Sequence, residues 1–144
     1  ELLDRDDFEV PLFSVDRELQ LGLPEKIKSF ATFIDQSDLV IISLAEHNGS
    51  YSTAFKNIYD WTSRIKDRKV FGNKKTFLLA TSPGARGGTT VLEAAKNRFS
   101  FDGAQIVGSF SLPQFFDHYS SSEGIINPEL KQQFEKALSG IVLE

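Results

Sequence analysis

No cysteine occurs among the 144 residues, which excludes disulfides, thiolate chemistry and cysteine-type zinc sites together and is compatible with a reducing cytoplasm. The two histidines, His47 and His118, are isolated and form no metal-ligand pattern. Apolar runs stay far below the roughly 18 consecutive residues of a membrane helix, so no membrane span is expected. Positive charge is also short: 16 Lys and Arg stand against 20 Asp and Glu, a net charge of -4 with the basic residues scattered. That balance argues against a nucleic-acid surface and against anionic membranes. No signal peptide is visible, but the chain opens on Glu1 and not on Met, and its natural beginning is expected to lie upstream. What remains is an ordinary globular composition, 40% hydrophobic and 25% charged, with thirteen Phe to make the core unusually aromatic.

The stretch from Leu39 to Trp61 organises the rest. Leu39-Val40-Ile41-Ile42-Ser43-Leu44 is apolar without alternation, as suits a strand of a parallel sheet covered on both faces. From Ala54 the period changes, and Ala54, Phe55, Ile58, Trp61, Thr62 and Ile65 form a helical stripe opposite Lys56, Asn57, Asp60, Ser63 and Arg64. Between strand and helix lies the polar elbow Glu46-His47-Asn48-Gly49-Ser50. A second unit of the same kind follows: the strand Thr76–Thr81, the glycine-rich loop Ser82-Pro83-Gly84-Ala85-Arg86-Gly87-Gly88, and a helical stripe of Val91, Leu92, Ala95 and Phe99. The loop is neither a Walker A sequence nor a Gly-x-Gly-x-x-Gly turn. It delivers the chain to a helix N-terminus, where free amides favour anionic or electron-rich groups.

Around these units, Glu1 to Phe13 reads as the tail of a strand and a polar loop, and Pro24 opens a helix with Ile27, Phe30, Ala31 and Ile34 on one face. Ala104–Gly108 reads as a last short strand and Ser109–Glu123 as a loop rich in aromatics. Asn127-Pro128 opens a final helix bearing Leu130, Phe134, Ala137, Leu138 and Ile141. Strands alternating with helices through short connections predict an α/β domain with a right-handed parallel sheet and helices on both faces. In such sheets ligands bind at the carboxyl ends of the strands, where both polar loops fall.

The two loops carry a resemblance. Ala45-Glu46-His47-Asn48-Gly49-Ser50, followed by Phe55-Lys56-Asn57 and Asp60-Trp61, resembles the flavin-loop signature Pro-Glu-Tyr-Asn-Gly-Ser and its helix in the NAD(P)H-dependent FMN reductases. Ser82, Pro83, Gly84, Gly87 and Gly88 resemble that family's second flavin loop, Ser-Pro-Gly-x-x-Gly-Gly. Ala45 and His47 depart from it, standing where proline and tyrosine are usual, although an imidazole is also a flat ring.

The resemblance implies a single flavodoxin-like domain over residues 1–144, a three-layer sandwich with a parallel sheet in the order 2-1-3-4-5. It also implies that the first strand, its phosphate loop and the first helix lie upstream of Glu1. It further implies FMN as cofactor, NAD(P)H as electron donor, and two-electron ping-pong transfer to a small-molecule acceptor such as a quinone, free flavin, an azo dye or a metal oxyanion. FMN would be held by Ala45, Glu46, His47, Asn48, Gly49, Ser82, Pro83, Gly84, Gly87 and Gly88. The chemistry of hydride transfer needs no side chain as acid or base; Glu46 either orients the elbow or is a surface carboxylate paired with a nearby Arg or Lys, and Arg86 is either a plain exposed residue or one that attracts a nicotinamide-cofactor phosphate. A cytoplasmic homodimer or homotetramer is implied, with the Lys56–Trp61 helix at the subunit contact and Tyr59 as an aromatic on its polar face. The alternative is a flavodoxin-like flavin-binding or electron-carrier module without reductase activity of its own.

Overall fold

The computed structural model describes residues 1–142. In chain order it comprises a 3-10 turn at Arg5–Phe8, helices α1 (Val15–Leu21) and α2 (Glu25–Gln36), strands β1 (Leu39–His47) and β2 (Ser50–Tyr51), and helix α3 (Thr53–Thr62). Then follow β3 (Lys75–Thr81), α4 (Thr89–Phe99), β4 (Gln105–Leu112), the single turn α5 (Phe115–His118), the hairpin strands β5 (Tyr119–Ser120) and β6 (Gly124–Ile125), and α6 (Pro128–Ser139). β1, β3 and β4 are parallel neighbours, and β2 folds back antiparallel on the tip of β1, giving the order β2-β1-β3-β4.

The helices form where their apolar residues align and caps stop them. In α2, Ile27, Ala31 and Ile34 are buried on one stripe. Asn127 accepts from the Leu130 amide to start α6, with Pro128 in its first turn. α4 buries Val91, Leu92, Ala95 and Phe99 against β3 and β1, while Phe110 and Leu112 of β4 meet Phe134 and Leu130 of α6 on the opposite face.

Three expectations change, and one helix, α1, was not anticipated. Glu1–Leu3 forms no strand: Leu2 is 97% exposed, and a strand has no existence without a neighbour to complete its ladder. β4 continues to Leu112, so part of the stretch expected to be loop is strand. Its Ser109-Phe110-Ser111-Leu112 alternation buries Phe110 and Leu112, and Gly108 leaves room for the Phe77 ring, whose Cε2 atom would lie 2.7 Å from a Cβ there. α1 has no buried residue, hence no apolar stripe to betray it, and rests on its Ser14 cap and on Gly22 at φ 69°. Tyr59 lies in the core and not on an exposed face: it is 9% exposed among Phe55, Phe71 and Phe99, and its hydroxyl hydrogen-bonds Asp102.

Among the described residues, none pairs with the flank of β1 away from β3 between Leu39 and Ala45. It borders a cleft of about 590 Å³ lined by Leu2, Leu3, Phe30, Phe33 and β1 itself. Ile41, at the middle of that strand, is 56% exposed.

Candidate functional site

The carboxyl ends of β1 and β3 lie side by side, with Ala45 directly opposite Thr81, so the two polar loops leave the sheet as neighbours. The first is tighter than an elbow. Asn48 (φ 52°) and Gly49 (φ 75°) are both left-handed, the geometry of a type I′ hairpin, and His47 pairs with Ser50 across it. Asn-Gly is the residue pair that such a turn demands. His47, Asn48 and Gly49 are exposed at its tip, and a Cβ on Gly49 would reach only the Thr90 methyl, at 3.9 Å.

Glu46 joins the two loops. Its side chain, half-buried, accepts a hydrogen bond from the Val91 amide at 3.1 Å, in the first turn of α4. That helix begins at Gly88, which has no side chain to cap it, so a carboxylate from a neighbouring strand supplies the missing acceptor and complements the helix dipole. Glu46 thus ties the strand end of the first loop to the helix that follows the second.

The second loop is fixed on its inner side and open on its outer side. Ser82 and Gly84 accept through their carbonyls from Phe115 and Gln114, Ser111 donates through its hydroxyl to the Gly87 carbonyl, and Thr81 donates to the Leu112 carbonyl. Gly87 and Gly88 are buried at φ 58° and 76°. A Cβ on Gly87 would run into the Ser111 hydroxyl and lie 2.8 Å from the Pro113 nitrogen; on Gly88 it would lie 3.1 Å from the Ala80 Cβ. These two glycines let the loop lie against the strand ends. Pro83, Gly84, Ala85 and Arg86 form the exposed rim, and a Cβ on Gly84 would meet nothing closer than the Ser82 hydroxyl at 3.8 Å. His118, half-buried, donates from Nδ1 to the Pro113 carbonyl at 2.9 Å and so serves the fold of this corner.

A third wall escaped the sequence reading. Asn57 accepts at Oδ1 from the Phe13 amide at 2.8 Å and donates at Nδ2 to the carbonyls of Val10 and Pro11. Trp61, one turn on and wholly buried, donates from Nε1 to the Pro11 carbonyl at 2.7 Å and meets the Phe13 ring edge-on. Together they pin the Val10–Phe13 segment across α3, leaving a cleft of about 620 Å³ between that segment and the His47 hairpin. The i, i+4 spacing of Asn57 and Trp61 was the available signal, but it does not say what the pair holds. Lys56 and Asp60, in the same motif, form an i, i+4 ion pair on the surface.

Residues 1–117 match the family of NADPH-dependent FMN reductases. The quinone reductase of Escherichia coli is 34% identical over 80 residues, a match covering 56% of this chain and 42% of that protein. A probable NADPH:quinone oxidoreductase of rice, Oryza sativa subsp. japonica, is 22% identical over 137 residues, covering 90% of this chain and 64% of that one. The match thus spans less than half of the bacterial relative and under two thirds of the plant one. Among solved structures, FerB of Paracoccus denitrificans, a flavoenzyme NAD(P)H:(acceptor) oxidoreductase, superposes with a TM-score of 0.74 at 23% identity, over 96% of this chain and 75% of FerB. That likeness establishes a flavodoxin-like fold, and with the family match it leads to one statement: this chain belongs to the NADPH-dependent FMN reductase family.

Proposed function

We propose that the protein is an FMN-dependent NAD(P)H oxidoreductase that passes two electrons to a small-molecule acceptor of the quinone class. The observation that carries this reading is the pair of neighbouring loops at the carboxyl ends of β1 and β3, locked together by Glu46 on the Val91 amide. Between them they offer turn and rim backbone with little side chain above it, at Asn48, Gly49, Pro83 and Gly84, as a flat ring requires.

FMN fits this shelf by its ring. Ala45, Glu46, His47, Asn48 and Gly49 would border one side and Ser82, Pro83, Gly84, Gly87 and Gly88 the other, with Glu46, Gly87 and Gly88 acting through the loop shapes they impose. The phosphate is a different matter, because the first turn of α4 already holds the Glu46 carboxylate, which would repel a second anion there. When bound, FMN supplies the two-electron exchange between nicotinamide and acceptor, and the protein supplies stacking geometry and fixed donors.

The same reading takes residues 1–144 as a single flavodoxin-like domain completed by an upstream strand against β1; the unpaired flank of β1 and the apolar cleft beside it support this. A homodimer or homotetramer in the cytoplasm is the assembly we infer, and no helix among the described residues is long and apolar enough to cross a membrane.

Yellow colour on purification with FMN, bleached anaerobically by NADPH or NADH and restored by a quinone, is the expected result. Colour that neither nicotinamide bleaches would instead identify an electron carrier, and full-length protein unable to retain FMN would overturn the reading.

A further inference from the structure

Beneath the first loop, a buried cluster places an oxidisable ring on a base for its proton. Tyr59 is 9% exposed, and its ring centroid lies 5.6 Å from that of Phe99, 5.9 Å from Phe71 and 6.2 Å from Phe55. Its hydroxyl donates to Asp102 Oδ2, and Arg98 spans the pair, with Nε 2.7 Å from the same carboxylate oxygen and 3.4 Å from the hydroxyl. Burial, then the bond to Asp102, keeps the phenol protonated at neutral pH. Any neutral acceptor would satisfy a buried hydroxyl; a carboxylate can also take its proton. The cluster reaches back to the hairpin, because Tyr51, paired with Glu46, lies 5.7 Å from both Phe55 and Phe99, so that a single phenyl ring separates it from Tyr59. The other oxidisable rings lack such a base: the Tyr51 hydroxyl is buried with no hydrogen-bond partner among the described residues, and Trp61 donates to the Pro11 carbonyl, which is too weak a base to hold a proton. Tyr119 is 40% exposed, open to radicals in solution.

We propose that Tyr59 is a redox-active site that draws one-electron oxidising equivalents away from the loops, with Asp102 as its proton acceptor. The electron leaves Tyr59 for an oxidant of the oxygen-radical class, tunnelling through the Phe55 and Phe99 rings, which are not themselves oxidised. In the same step the phenolic O–H bond breaks and the proton moves to Asp102 Oδ2. Tyr59 becomes a neutral phenoxyl radical, the oxidant gains the electron, and the cluster, neutral before, carries the single positive charge of Arg98. A one-electron reductant of the ascorbate class reverses the step, and the proton returns to the phenol. The surrounding rings keep the radical from meeting a second one, so it persists instead of coupling. This role goes beyond the reductase reading and requires neither flavin nor nicotinamide to be bound.

The test is pulse radiolysis of the full-length protein, with and without FMN, using azide radicals as the one-electron oxidant. Transient absorption and freeze-quench electron paramagnetic resonance identify the radical. Wild type should form a tyrosyl radical that outlives the radical of free tyrosine in the same solution, and form it more slowly in heavy water, because the proton moves with the electron. Tyr59→Phe should abolish the persistent signal, whereas Tyr51→Phe and Tyr119→Phe should retain it. Asp102→Asn keeps an acceptor oxygen for the hydroxyl but cannot take its proton, and should cut the yield by about tenfold or more, since each pKa unit lost by the proton's acceptor weighs tenfold. Near-ultraviolet circular dichroism checks that each variant is folded. Wild-type radicals as short-lived as those of free tyrosine, a persistent signal that survives Tyr59→Phe, or an unchanged yield in folded Asp102→Asn would each overturn the proposal. So would equal rates of formation in light and heavy water, whether or not the variants fold. Flavin bleaching by NADPH is read separately, so the reductase reading and this one can fail independently.

Discussion

Removing the Glu46 carboxylate should separate the two loops, and the structure sets the size of the effect. The bond to the Val91 amide is a half-buried, charge-assisted hydrogen bond of 3.1 Å at a helix start that has no side-chain cap of its own. Bonds to charged groups contribute about 1.5–3 kcal/mol, of which the charge on the helix dipole supplies about 0.3–1 kcal/mol. Glu46→Ala loses all of it; Glu46→Gln keeps an acceptor oxygen and loses only the charge. In urea unfolding, with a slope of about 2 kcal/mol/M for a domain of this size, the alanine variant should shift the midpoint down by about 1 M and the glutamine variant by less than half of that. Flavin affinity, by fluorescence titration of the full-length protein, should follow the same order. If alanine and glutamine variants coincide, or if flavin affinity is unchanged while stability falls, Glu46 does not hold the loops in register and the argument fails.

Gly87→Ala should cost about 2–4 kcal/mol in chemical denaturation, because φ of 58° strains an L-residue and the new Cβ meets Ser111 and the Pro113 backbone; Gly84→Ala, on the open rim, should change stability by less than about 0.5 kcal/mol. Trp61→Phe retains much of the buried area but leaves the Pro11 carbonyl with only the longer bond from Asn57, and should destabilise by about 1–2 kcal/mol while raising hydrogen exchange in the Val10–Phe13 segment. Burial, with the hydrogen bond to Asp102 second, pushes the Tyr59 phenol up to about 12 from its ordinary value of 10. A raised folded value means that its contribution, at most roughly 2–3 kcal/mol, is complete below pH 10 and lost between pH 10 and 12. Alkaline unfolding of Tyr59→Phe should lack that slope, and identical pH profiles would show that the phenol ionises freely in the fold.

Elements with apolar stripes were legible in the sequence because periodicity records burial, as at β3 and α2; the stripe of α6 is only half-buried, and β1, read as covered on both faces, buries Leu44 alone while Ile41 is exposed. The loops were legible because Asn-Gly and Gly-Gly are turn chemistry, although only coordinates show that Gly87 and Gly88 point into the protein and Gly84 out of it. What could not be read was partnership. Glu46 and Val91 are 45 positions apart, and Asn57 looks like any polar residue on a helix surface until the distant Val10–Phe13 segment closes on it. Tyr59 misled for the same reason: its place on the helical wheel was right for an exposed face, but the hydroxyl found Asp102 from beyond α4 and the ring could be buried.

The bare flank of β1 has a consequence for handling. In a parallel strand alternate residues direct both amide and carbonyl to the same side, so about half of those from Leu39 to Ala45 present unmet hydrogen-bonding groups to the cleft. The run Leu39-Val40-Ile41-Ile42 is uncharged and contains neither proline nor glycine, the composition from which stacked, fibril-forming strands are made. Whatever normally occupies that edge therefore also acts as a guard, and a preparation in which it is loosened should thicken and bind thioflavin before it loses its helical circular dichroism.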